Sequence, residues 1–402
     1  MTKRNRIILV AMFIMLSVGS TQLAIADTFT KMLTEGKVSA DFRLRYENVD
    51  QDNALKNADA LTLRSRLGYT TGDFLGFSAM LEFEDSREVG VDNYDDGLGS
   101  NPKYSAVTDP ETTELDQGFV QYHNWGATAR LGRQVITLDN QRFVGDVGWR
   151  QDRQSFDAFN LACQPIDNLK LTYAYINKRN RIFAEDRDLD SKDNLLNAAY
   201  KTPLGALAVY GYLLEEDEGS KNDIDSFGVR FSGSTDVADT KVLYAAEFAT
   251  QDNDTDNTDF DADYYLLEAG AVFYEVTGKI GYEVLGSDDG KYGFATPLAT
   301  LHKFNGWADQ FLTTPTQGLV DLYVSLGGKL FGGKWGVVYH DFEADEDTPG
   351  VDDLGDELDL VYSIKFLEHF NAGIKYAKYS EGDKGAGKVD TDKFWAWVGA
   401  SF

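Results

Sequence analysis

The chain has 402 residues, 26% of them charged, with 66 Asp and Glu against 38 Lys and Arg and a net charge of −28. An acidic balance of this size argues against nucleic acid or an anionic membrane surface as a partner for the outside of the molecule. No stretch beyond residue 26 approaches 18 consecutive apolar residues, which excludes helical membrane spans.

Lys3, Arg4 and Arg6 precede the apolar run Ile7 to Val18, and Ala24-Ile25-Ala26 forms a small-residue cleavage site before Asp27. Residues 1–26 therefore read as a secretory signal peptide. The apolar run is too short to cross a bilayer as a helix, and no Cys follows it for lipoprotein processing. Its removal takes away three positive charges and no negative ones, so the net charge moves from −28 to −31. With Cys163 as the single cysteine, no intramolecular disulfide can form in an oxidising compartment.

From Lys37 to Asn48, Val38, Ala40, Phe42, Leu44 and Tyr46 alternate with Ser39, Asp41, Arg43, Arg45 and Glu47. A period of two is that of an amphipathic strand. The same alternation recurs at 61–69 and 77–83, and further strands are expected at 114–123, 127–137, 155–163, 169–177, 194–202, 206–215, 224–233, 240–251, 262–273, 279–285, 318–326, 333–342, 357–367, 370–380 and 391–402. That makes 18 strands, with 16 as the other count the pattern allows. Short connections such as 71–76, 124–126, 164–168, 203–205, 327–332 and 367–369 alternate with long, acidic ones.

Strands of about ten residues, short turns on one side and long loops on the other describe a transmembrane antiparallel β-barrel spanning 27–402 as a single domain. The expected fold is all-β, with short periplasmic turns and long acidic extracellular loops. Aromatics make up 13% of the chain and many stand near strand ends, as an interfacial girdle requires. In the last strand Phe394, Ala396, Val398, Ala400 and Phe402 share one face, which suits a strand that pairs with the first and shows that face to lipid. It resembles the C-terminal signature of bacterial outer-membrane barrels, in which a terminal Phe is recognised by the barrel-assembly machinery.

A barrel this wide is not filled by its own wall side chains, so the inward residues carry the function. Strand parity turns Arg43, Arg45, Arg64, Arg66, Arg130 and Arg230 inward, with Lys170, Lys365 and Lys375 as additions. Guanidinium groups at close quarters make a constriction that pairs with carboxylates or phosphates and repels cations. Glu82, Glu84, Glu247, Glu268 and Glu283 share the inward parity, so a ladder of ion pairs bracing the wall is the competing reading.

The block Gly132-Arg133-Gln134, Asp139-Asn140-Gln141-Arg142, Gly145, Trp149-Arg150 and Phe156-Asp157, together with Arg43-x-Arg45 and Arg64-x-Arg66, resembles the alginate export family of outer-membrane channels. The resemblance implies an 18-stranded barrel with an arginine-rich constriction through which an anionic uronate polymer leaves the cell, gated by loops. It also implies Arg133 and Arg150 as pore cations beside Arg43, Arg45, Arg64, Arg66 and Arg130. Arg133 has the opposite parity to Arg130, so both face inward only across a bulge. The connection 286–316, with Phe304, Trp307 and Phe311, reads either as a plug folded into the pore or as a surface loop, and its stretch from Pro297 to Asp309 looks like a family branch with no assigned substrate.

Other motifs fail on inspection. Asp252 to Asn257 starts like a calcium loop, but Asn stands at its sixth position and Asp263 at its twelfth. Gly382 to Lys388 reads G-x-x-x-x-G-K, yet Val389 follows where Ser or Thr would hold magnesium. His123, His302, His340 and His369 are scattered, and no G-x-S-x-G occurs, so neither an enzyme, a metal site nor a cofactor is expected. The expected partners are an anionic polysaccharide or small anionic solute, the outer membrane with its lipopolysaccharide, the assembly machinery and, if the solute is a polymer, periplasmic secretion proteins. A diffusion porin for small anionic nutrients is the alternative within transport, and a structural barrel with a blocked lumen is the alternative outside it.

Overall fold

The computed structural model describes residues 29–217 and 219–402. The expected signal peptide, 1–26, lies outside the described residues. After a helical turn at 29–34 the chain forms β1 (Lys37–Gln51), β2 (Ala58–Thr70), β3 (Phe77–Asn93), β4 (Thr112–Asn124), β5 (Ala127–Gln134), β6 (Ser155–Ile166), β7 (Leu169–Asn180), β8 (Leu189–Thr202), β9 (Gly205–Leu214) and β10 (Asn222–Val237). There follow β11 (Thr240–Thr255), β12 (Asp259–Phe273), β13 (Val276–Leu285), a two-rung hairpin of β14 (Ser287–Asp288) and β15 (Tyr292–Gly293), then β16 (Leu319–Leu330), β17 (Gly333–Thr348), β18 (Val351–Phe366), β19 (Phe370–Ser380) and β20 (Thr391–Ser401). All but β14 and β15 belong to one 18-stranded antiparallel sheet, closed by β1 pairing with β20 from Asp41↔Ser401 to Gln51↔Thr391. Beyond the last rung, Ala40 and Phe402 exchange backbone hydrogen bonds at 3.1 and 2.8 Å.

Closure leaves no free edge, so every barrel strand has a neighbour on both sides. The alternation then sorts side chains between two solvents. On β2, Thr62, Arg64 and Arg66 are buried toward the interior, while Leu67 stands out from the wall with Leu81, Val120 and Leu131 of the next strands. At one end the connections are tight. Trp125-Gly126 and Phe331-Gly332 form two-residue turns with φ of 48° and 72°, and of 49° and 81°. Positive φ at both central residues matches the right-handed twist of the hairpin, and Gly meets it at the second place without steric cost. The first place holds an aromatic ring that projects almost fully at the rim, where a girdle is useful.

At the opposite end the expected boundaries need correction. The acidic connections expected between strands 240–251 and 262–273 and between 333–342 and 357–367 are largely ladder: β11 and β12 stay paired to Asp254↔Asp259, and β17 and β18 to Thr348↔Val351 with register shifts on the way. The apolar alternation fades there because both faces meet water, while the backbone pairing that defines a strand continues. The predicted strand 127–137 stops at Gln134 for a different reason. Its continuation turns into the lumen.

Two connections, 135–154 and 286–318, fold into the barrel and supply its core. Phe143, Val144, Phe294, Leu298, Ala308 and Phe311 pack with the inward residues Tyr210, Tyr264, Phe342, Tyr379 and Trp395 in one buried cluster. Val144 and Leu298 make a parallel β-bridge that joins the two loops. Apolar contact and backbone pairing together hold them inside.

Candidate functional site

The inner loops meet the wall in knots of charge. In the first, Trp149 stacks on His302 with centroids 4.9 Å apart and planes 8° apart, and meets the edges of Trp395 and Trp397 at 5.9 and 5.6 Å. Lys375, from β19, lies 4.4 Å from the Trp149 ring and 3.8 Å from Trp307, with its Nζ 2.8 Å from His302 Nε2. His302 Nδ1 is 2.6 Å from Asp309 Oδ1. The Asp309 carboxylate can only accept, so His302 donates at Nδ1 and accepts at Nε2 from Lys375, as a neutral imidazole. Burial, opposed by Asp309 and reinforced by Lys375, lowers its pKa to about 3. Asp309 also takes Lys393 at 2.8 Å and Arg150 at 3.1 Å, and Arg150 reaches on to Glu47 at 3.1 Å.

A second knot spans the lumen. Arg142 leaves the loop after β5 and donates to Glu283 on β13, at 2.8 Å, and to Asn305 of the other inner loop, at 3.1 Å. Glu283 also accepts from Tyr264 at 2.6 Å, and Asn305 donates to Asp321 at 3.0 Å. At the loop's far end Arg153 pairs with Asp116 and Glu82, each at 2.6 Å.

Against this frame the eight arginines expected to line the pore separate. Arg45 pairs with Asp109 and Glu47, Arg64 with Asp41, Arg66 with Glu84 and Asp116, and Arg230 with Glu247. Arg43 has no carboxylate partner among the described residues, yet its three guanidinium nitrogens donate to Gln151 and to the carbonyls of Gly148, Trp149 and Arg150. Arg150 is bound as described. Arg130 faces inward, donating to Gln121 at 2.6 Å above the Phe119 ring. The first-strand arginines therefore do have acids among them: Asp109 descends from the 94–111 connection and Asp116 sits at a bulge in β4, neither visible from parity. The five inward glutamates are paired as well, Glu268 with Lys279 at 2.9 Å.

Arg133 does not face the lumen. It keeps the parity of Leu131, which is 66% exposed on the outer wall, and pairs there with Asp157 at 2.8 Å, in a shallow depression shared with Phe83. Gly132 takes a φ of 125° without shifting the register of β5 on β6, so no bulge brings Arg133 inside.

Unpaired inward cations lie elsewhere, at the end with the short turns. Lys170, Lys201, Lys241, Lys329, Lys334 and Lys365 each stand second from a turn on their strand, carry the inward parity and are exposed. Lys37 opens β1 in the same way. Among the described residues none of the seven makes a side-chain hydrogen bond or an ion pair within 4 Å. Lys329 and Lys334 are directly opposed in the ladder, with Lys365 on the next strand. The inward carboxylates nearby are Asp236, opposite Lys241, and Asp41, held by Arg64. Lys170 and Lys365 were legible from strand parity. The others required the turn positions, which the alternation leaves open by a few residues.

The comparisons agree with this architecture. Among solved structures, Acinetobacter baumannii OccAB4 superposes with a TM-score of 0.73 at 17% identity, over 92% of this chain and 98% of its own. Pseudomonas aeruginosa OccK1 (OpdK) gives 0.72 at 14%, over 92% and 98%, and OpdK with vanillate gives 0.72 at 15% with the same coverage. No curated protein sequence matches. The profile described as alginate export matches residues 33–284, more than half of the sequence. With its closed 18-stranded barrel, the chain is an outer-membrane channel and belongs to the alginate export family.

Proposed function

We propose that this channel passes anionic solutes and takes them up at its periplasmic mouth, the end with the short turns. The observation that carries the reading is the set of unpaired inward lysines there. Two of them, Lys329 and Lys334, are directly opposed, a like-charge placement that costs the hairpin stability and is relieved when an anion sits between them. The opposite mouth is acidic, with Asp252, Asp254, Asp261, Glu343, Asp345 and Asp353 on the strand extensions. A negative outer rim repels anions arriving from outside and favours their release once they have crossed.

Family membership favours a uronate polysaccharide as the solute. The filled waist favours a second reading, passage of small carboxylates, because the loops 135–154 and 286–318 would have to leave the lumen before a polymer chain could thread it. Vanillate, the molecule in one OpdK structure, is a carboxylate of that size. In both readings the waist arginines hold the loops, and Arg130, whose side chain donates to the uncharged Gln121, shares with Arg43 the lack of a carboxylate partner among the described residues. Phe402, packed on His369 at the seam, is the element offered to the assembly machinery.

Reversal potentials in planar bilayers test the proposal. The wild type is expected to prefer chloride over potassium, and Lys329→Gln/Lys334→Gln/Lys365→Gln to lose most of that preference. Equal selectivity in the two proteins would remove the lysines from the mechanism. Block by uronate oligomers added on the short-turn side distinguishes the polymer reading from the small-solute one.

A further inference from the structure

A group of three carboxylates stands apart from the pathway, where the loop 135–154 rejoins the wall. Glu84 of β3 and Glu114 of β4 are directly opposed in the ladder, and Asp152 reaches them from the loop. One oxygen from each lies within 4.8 Å of the others. They are 30 and 38 positions apart in sequence, so no local motif announces them.

Three features ask for a cation. Like charges opposed across a strand pair repel one another, and here a third carboxylate is added in a buried place. Asp152 is 0% exposed, and although its Oδ2 accepts from the Ala184 N–H at 3.1 Å, its Oδ1 has no hydrogen-bond partner among the described residues. Arg66 offsets one of the three charges, at Glu84, and the other neighbouring cations are engaged elsewhere: Arg153 holds Asp116 and Glu82, Arg133 holds Asp157, and Lys178 holds Asp188 at 3.0 Å.

We propose that Glu84, Glu114 and Asp152 bind one Ca²⁺ ion, which fastens the returning limb of the inner loop to the β3–β4 wall. The ligands are all oxygen, the donor set of a hard divalent cation, and Ca–O contacts of about 2.4 Å place two opposite oxygens about 4.8 Å apart. Water and backbone carbonyls complete the shell. The site is independent of which solute the channel carries.

The test is calorimetric titration of CaCl2 into EDTA-treated full-length protein, folded in detergent, in 150 mM NaCl. Asp152→Asn and Glu114→Gln are the variants, and Asp345→Asn is a control on a distant acidic residue. Folding of each is checked by the heat-dependent gel shift of an intact barrel. The expected result is a saturable site in the wild type and the control, with affinity reduced at least tenfold in both variants. Wild type without a saturable site, or variants that bind as the wild type does, would overturn the proposal. If a variant fails the folding check, terbium luminescence of the wild type decides: competition by Ca²⁺ at one stoichiometric site supports the assignment, and its absence rejects it.

Discussion

The inward cations of this barrel form two populations of opposite character. At the waist, Arg45, Arg64, Arg66, Arg142 and Arg150 are buried and each meets at least one carboxylate. At the short-turn mouth, Lys201, Lys329, Lys334 and Lys365 are exposed and meet none within 4 Å among the described residues. Arg45, Arg64 and Arg66 carry the same inward strand parity as the lysines, while Arg142 and Arg150 enter on the loop 135–154. Parity says which way a side chain points, and what it is free to bind depends on what the inserted loops bring to it.

The largest effect is expected from breaking a waist pair. Arg150→Ala removes the cation that Glu47 and Asp309 share and leaves them to Arg45 and Lys393, a loss on the order of 1.5–3 kcal/mol for the docked loop. The loops 135–154 and 286–318 should then become open to limited proteolysis, and single-channel conductance should rise several-fold. An unchanged digestion pattern would show that the apolar cluster alone holds them.

Acidification attacks the same contacts. The folded-state pKa of His302 is depressed to about 3, so the unfolded or undocked loop binds the extra proton more readily. The stability His302 contributes is complete above its ordinary pKa of about 6.5 and is lost as pH falls from there toward 3. Gating noise in bilayers should increase between about pH 6 and pH 4. His302→Gln should remove that component.

At the mouth the order reverses, with a large change in selectivity and a small one in stability. Lys334→Gln alone relieves its repulsion with Lys329, so the barrel should be as stable as the wild type or slightly more so, within about 0.5 kcal/mol. Its chloride preference should still fall. Smallest of all is Arg133→Ala, on the outer wall, which should leave conductance and selectivity unchanged and cost no more than about 1 kcal/mol with its half-exposed partner Asp157.

Most of the fold was legible because alternation is imposed twice over, by lipid outside and water within. All 18 strands stand where the period of two put them, and the seam between first and last does too. The strand ends beyond the membrane were not, since Asp254↔Asp259 pairs where both faces are wet and no apolar signal remains. The waist was legible only by halves. Arg45 could be turned inward from its neighbours Leu44 and Tyr46, but its partner Asp109 lies 64 residues away on a connection with no period at all. His302, scattered in sequence from every other histidine, finds Trp149, Lys375 and Asp309 through two loops whose paths are set by packing.

The seam has a kinetic consequence. Ser401 donates to Asp41 across 360 positions of sequence, whereas every other neighbouring pair of barrel strands is consecutive around the ring. Contacts of long separation are the slowest to form, because closure entropy is spent before they return anything. Hairpins from β2 to β19 can assemble one after another, but β1 must wait with an unpaired edge until β20 arrives. Assembly of this barrel is therefore expected to be limited by a single late zippering step, and a substitution in the seam, such as Ala396→Pro, should trap an open sheet rather than produce a looser barrel.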